Sequence, residues 1–171
     1  MKLSTKQLTL CGILTTLALA LSVMENQIPL AAAIPLPGIK LGLANIVTLF
    51  ALYELGAVPA LCVLIARCFL GALFAGNASA LLFSLMGGVC AMLVMIALKR
   101  FRRLSVFGVS IGGAAAHNCG QIAAAVISLG NTAPLYYLPI LLGVSLFTGA
   151  LTGLIAACLF RALAYTGLMK G

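Results

Sequence analysis

His117, Asn118 and Gln121 interrupt an otherwise apolar run, Val106–Leu129, just after Gly112, Gly113 and three alanines. A bilayer tolerates such side chains only where they face protein or a water-filled cavity. The small residues before them let a helix or a ligand approach the backbone closely. The segment therefore reads as one wall of a polar pocket. Arg67 lies in the middle of another apolar run, and Asn45 sits inside a third, with Lys40 before it. A guanidinium matches the geometry of carboxylate or phosphate. At mid-bilayer it costs about 2.5–3.5 kcal/mol on an insertion scale, so it calls for a partner. The chain has two acids, Glu25 and Glu54. By helical rise each stands on the order of 10 Å or more from Arg67 along the membrane normal. Asn45, Gln121 or backbone carbonyls would satisfy part of the guanidinium and an anionic ligand the rest; a purely structural arginine is the competing reading. His117, either a packing residue or a ligand contact, would make binding pH-dependent, since imidazole titrates near neutrality. It is the only histidine and no acid is placed near it, so neither a metal site nor a cofactor is expected.

The elements that must position these residues are membrane helices. Of 171 residues, 64% are hydrophobic and 7% charged. Several windows are apolar over about 20 residues, the length that spans a bilayer. The expected architecture is one all-α membrane domain over residues 1–171 with six spans, near 8–24, 38–52, 57–75, 78–98, 106–129 and 135–160. A net charge of +8 does not indicate nucleic acid, because most basic residues lie at helix ends. Placing both termini in the cytoplasm puts Lys2, Lys6, the KRFRR run at 99–103, Arg161 and Lys170 inside and leaves only Lys40 outside. KRFRR then reads as a topology signal, with lipid or partner contact secondary. The polar groups gather in the outer half and converge on Arg67 and His117, the shape of a site open to the outside.

Residues 25–40 carry Pro29, Pro35 and Pro37 yet are strongly apolar. One regular helix cannot hold those prolines. The segment is expected to fold over the pocket as a lid, against the simpler reading of an interfacial connector. On the first helix Gly12, Thr16 and Ala20 recur every four residues. They make a narrow face for a neighbouring helix, by preference one of this chain and otherwise one of another subunit. The six cysteines form no C-x-x-C pair and read as small hydrophobes. No GxxxxGK[ST] sequence is present, so energy for transport would come from a partner.

Four stretches carry a family resemblance: PGIKLGLANIVTLFALYELG at 37–56, RCFLGALFAG at 67–76, SLMGGVCAMLVM at 84–95 and FGVSIGGAAAHNCGQ at 107–121. They resemble the bacterial family named heptaprenyl diphosphate synthase component I, also called the Gx transporter family. That family is similar to the S components of energy-coupling-factor transporters. The resemblance implies a six-helix protein of the bacterial cell membrane that takes a small solute from outside. It would pair with a coupling transmembrane subunit and cytoplasmic ATPases. The family's name points instead to a prenyl diphosphate synthase, and to an isoprenoid or quinone precursor as ligand. Such synthases hold magnesium and diphosphate with aspartate-rich motifs, and this chain has no aspartate. Catalysis by the chain itself is not expected; a non-catalytic membrane partner of a synthase and a stand-alone transporter or channel are the rivals. S components often carry Ala-x-x-x-Ala on the first helix, and here Gly12, Thr16 and Ala20 replace it.

Overall fold

The computed structural model describes residues 4–27, 42–101 and 103–165. Among them the fold is entirely helical: α1 Thr5–Asn26, α2 Asn45–Glu54, α3 Ala57–Ala75, α4 Ala78–Lys99, α5 Val106–Leu129 and α6 Leu138–Tyr165, the last preceded by a 3-10 turn, Ala133–Tyr137. Local chemistry sets the ends. Ser4 and Gln7 exchange side chain-to-backbone hydrogen bonds in a capping box that opens α1. Gly76 closes α3 in the left-handed region, φ 60°, and the next residue, Asn77, opens α4 by accepting from the Ser79 N–H at 2.9 Å.

Among the described residues four stretches are long and apolar enough to cross a membrane: Thr5–Glu25, Ala57–Ala75, Ala78–Lys99 and Ala133–Ala162. The 24-residue α5 has the length, but its own His117, Asn118 and Gln121 lower its hydropathy. The short helix is α2. Its 10 residues extend about 15 Å at the usual rise, half of a hydrocarbon core about 30 Å thick. A helix was expected from residue 38. It begins at Asn45, because Gly42 takes a φ of +83° and residues 43–44 form a turn.

This half-length helix is the inner element, packed against α1, α3, α4 and α6. Its Leu49 and Leu52 are buried with Leu64 of α3 and Met92 and Met95 of α4. At its C-terminal end Lys99 donates to the Leu52 carbonyl at 2.7 Å and lies 4.7 Å from the centre of the Tyr53 ring. Phe160 of α6 stacks on Phe50 with centroids 5.4 Å apart. Outside this core, α5 lies between α4 and α6. Gly120 brings α5 onto the α4 backbone: a Cβ there would meet the Met86 carbonyl oxygen and stand 2.8 Å from Gly87 Cα. Ser110 of α5 and Thr152 of α6 share a 2.6 Å hydrogen bond.

On α1 the buried face is Cys11, Leu14, Thr15, Ala18, Ser22 and Glu25. Gly12, Thr16 and Ala20 lie on the exposed face, and nothing stands within 4 Å of a Cβ added at Gly12. The expected preference for a partner helix within this chain is therefore corrected. Thr16 turns its hydroxyl back on the Gly12 carbonyl at 3.1 Å, so the stripe carries no unmet polar group.

Candidate functional site

Polar residues of four helices, α1, α2, α3 and α5, meet around the N-terminal end of α2, and α4 adds two glycines. Arg67, midway along α3 and 5% exposed, donates from Nη1 to Ser22 Oγ of α1 at 3.2 Å and from Nη2 to Asn45 Oδ1, the first residue of α2, at 3.3 Å. Both partners are neutral. Among the described residues its Nε, fully buried, has no hydrogen-bond partner. Arg67 reaches its position beside Gly88 of α4, where an added Cβ would lie 3.5 Å from Nη2.

His117 and Gln121 stand one helical turn apart on α5 and therefore share a face. That face meets α4 at Gly87, where a Cβ would come 2.9 Å from His117 Cε1 and 3.1 Å from Gln121 Cγ. The imidazole continues across to the α2 entrance: a Cβ on Gly42 would lie 3.3 Å from His117 Cδ2 and 3.0 Å from Asn45 Nδ2. Two glycines on different elements thus make the slot that the ring fills. Arg67, Asn45, His117 and Gln121 form one contiguous buried group, each with less than a tenth of its surface exposed.

Glu25 belongs to the same group. Its carboxylate accepts from the Gly42 N–H through one oxygen and from the Leu43 N–H, at 3.1 Å, through the other. It is 2% exposed. The expected axial separation from Arg67 did not isolate it. Ser22, which Arg67 touches, precedes Glu25 by three residues on the same buried face, a rise of about 4.5 Å, and the carboxylate goes to the α2 entrance while the guanidinium goes to Ser22 and Asn45. The carboxylate makes the group less cationic than a reading of Arg67 alone implied. Ser22, Glu25, Gly42 and Gly87 are the residues that sequence reasoning did not assign to the site. The signal for the first two was the spacing of Cys11, Ala18, Ser22 and Glu25 along one face of α1.

Asn118 does not join them. It lies next to His117 in sequence, about 100° further round the helix, and donates to the Leu141 carbonyl of α6 at 2.7 Å. Its neighbours there are Ile122 and Leu141, so it ties α5 to α6. Residues 28–40 of the expected lid, Lys40 among them, lie outside the described residues. A separate surface groove of about 300 Å³ runs between the adjoining ends of α3 and α4, lined by Phe69, Leu73, Asn77 and Leu81. It is almost wholly apolar and open, and it holds none of the polar group.

The family described as heptaprenyl diphosphate synthase component I matches residues 14–159. That range contains every residue of the polar group. No curated protein and no solved structure matches the chain.

Proposed function

The chain belongs to the heptaprenyl diphosphate synthase component I family, and we propose that it is a membrane subunit that captures a small anionic organic solute from the outer face of a bacterial cell membrane. One observation carries this reading. Arg67 is held deep in the bundle by the neutral side chains of Ser22 and Asn45, and its Nε has no partner among the described residues. A buried charge is expensive unless paired and fully hydrogen-bonded. A carboxylate or phosphate on the solute would pair with the guanidinium. Asn45, His117 and Gln121 supply donors and acceptors around it.

The arrangement of α2 supports the same function. Half-length helices with buried ends are a recurrent way to build solute sites inside membrane proteins. In this reading all six helices lie within the membrane and both termini are cytoplasmic. As in the S components of energy-coupling-factor transporters, a coupling transmembrane subunit would dock on the exposed Gly12, Thr16 and Ala20, and its ATPases would supply the energy. An isoprenoid or quinone precursor bearing an acidic group fits the family's name and the site's chemistry.

That name favours a second reading, a non-catalytic membrane subunit that holds a soluble prenyl diphosphate synthase. Gentle purification from the native membrane separates the two. Solute capture expects a transmembrane partner with ATPases, lost on Gly12→Leu or Ala20→Leu. Recovery of a soluble synthase in place of that set overturns it.

A further inference from the structure

We propose that the turn between α4 and α5 holds the headgroup of an anionic phospholipid, with Arg100 and Arg103 on the phosphate and Phe101 at the edge of the acyl chains. The assignment uses no residue of the polar group around Arg67 and does not depend on solute capture.

The first observation is the distribution of charge. The start of α1, the ends of α2, α4 and α6 and the starts of α3 and α5 share one end of the bundle. The Lys99 bond to the Leu52 carbonyl joins α4 to α2 there. Lys6, Arg100, Arg103 and Arg161 are all exposed at this end, against the single acid Glu54. At the opposite end the described residues carry Glu25 and no Lys or Arg. A face with one sign of charge has a field that gathers the other sign.

The second observation separates Lys99 from its neighbours. Lys99 is used within the fold, on the Leu52 carbonyl and over the Tyr53 ring. Arg100 and Arg103 are exposed, and among the described residues neither guanidinium has a hydrogen-bond or ion-pair partner.

The third observation is the geometry of the connection. Only residues 100–105 join α4 to α5. The Phe101 carbonyl accepts from the Leu104 N–H at 3.0 Å, which closes a tight turn. Ser105 then caps α5 by accepting from the Gly108 N–H at 3.4 Å. Leu104 folds back on α5, its Cδ2 3.3 Å from the place of a Cβ on Gly108. Because α4 has the length and hydropathy of a membrane span, so short a connection keeps its side chains in the headgroup layer. Arg100 and Arg103 are three residues apart, so their Cα atoms stand within about 10 Å of each other. Both side chains reach one phosphate, whose oxygens match the guanidinium fork. Phe101 is 62% exposed beside them, an apolar ring suited to the boundary of headgroups and acyl chains. A phospholipid presents anion and acyl chain together at the depth where the turn is held, which favours it over an acidic protein.

The test uses the full chain in detergent micelles, titrated with phosphatidylglycerol or with phosphatidylcholine of the same acyl chains. Native mass spectrometry measures the bound fraction. Micelles impose no membrane orientation, so an effect of charge on insertion does not enter. Every substituted side chain is exposed, and melting temperatures check that the variants fold. The wild type should take phosphatidylglycerol saturably and in preference to phosphatidylcholine. A basic side chain near an anionic lipid surface is worth about fivefold in affinity. Arg100→Gln and Arg103→Gln should each weaken phosphatidylglycerol binding by about that factor, and the double variant by about thirtyfold. Phe101→Ser should weaken it as well. Lys6→Gln combined with Arg161→Gln removes as much charge from the same end and should leave the preference intact. Sodium phosphate should displace no more lipid than sodium chloride of equal ionic strength.

No preference in the wild type, a preference kept by the double arginine variant, or one lost equally in the Lys6 and Arg161 control overturns the site. An unchanged affinity in Phe101→Ser removes the ring from it. Displacement by phosphate overturns the lipid in favour of a free anion. An acidic protein recovered with the wild type and not with the double arginine variant, in the absence of a lipid preference, overturns it in favour of a protein contact.

Discussion

Gly120→Ala is the substitution whose consequence the structure sets most tightly. The new methyl would point at the backbone of α4, at the Met86 carbonyl oxygen and at 2.8 Å from both Met86 C and Gly87 Cα. No side chain can rotate away to admit it. Ordinary contact begins near 3.4 Å, so the two helices must part by 3.4 − 2.8 = 0.6 Å at the least. A gap of about that size forfeits a quarter to a half of the dispersion energy at each separated contact. Overpacking of this kind typically costs about 1–3 kcal/mol, occasionally more. Alanine returns up to about 1 kcal/mol of helix propensity. The contact is backbone on backbone along the most extensively packed pair of helices, so the net loss should lie near the top of the range, about 2 kcal/mol. For a chain of this length that lowers the melting temperature by about 4–8 °C. Gly12→Ala is the internal control, because nothing stands within 4 Å of its Cβ and the same propensity gain is unopposed. A fluorogenic maleimide reads unfolding through the buried thiols of Cys11 and Cys68. Gly120→Ala melting at or above the Gly12→Ala temperature would refute the close approach of α4 and α5, and with it the placing of His117 against Gly87.

Gly87→Ala should displace the His117 ring, 2.9 Å from the new methyl, and so weaken solute retention by about tenfold with a stability loss of only about 1 kcal/mol; isothermal titration and thermal melts measure the two separately. Asn118→Leu should cost about 1–2 kcal/mol through the lost bond to the Leu141 carbonyl, yet leave retention unchanged, whereas Gln121→Leu should reduce retention. Lys99→Met should cost about 1–2 kcal/mol by removing the Leu52 carbonyl bond and the contact over Tyr53, read by the same melts. Ser110→Ala and Thr152→Val should each cost about 1 kcal/mol, and the double variant little more than either alone, since one 2.6 Å bond is removed in all three.

The outer helices were legible where punctuation was strong. The pairs Gly76-Asn77 and Gly130-Asn131 mark a glycine that ends one helix and a polar residue that starts the next turn, and α3 and α5 begin and end at the residues those marks suggest. The start of α2 was not legible, because the apolar, proline-containing stretch before it hides the turn at Gly42. Depth counting put Asn45 in the outer half, Arg67 and His117 near the midplane and Gln121 above His117. It misjudged Asn118 because depth ignores azimuth, and the residue after His117 faces α6. It set Glu25 apart from Arg67 but gave no sign that the carboxylate would take the Gly42 and Leu43 N–H groups at the α2 entrance. The exposed direction of Gly12, Thr16 and Ala20 was undecidable from a period that fits an inner and an outer face equally; the competing spacing of Cys11, Ala18, Ser22 and Glu25 proved to be the buried one.

Native mass spectrometry of the protein released from nanodiscs, wild type beside Arg67→Gln, tests solute capture around Arg67 most directly. The wild type should carry a small organic acid that the folded variant lacks. A wild-type protein with no bound molecule, or the same molecule retained at equal occupancy by Arg67→Gln, would contradict it.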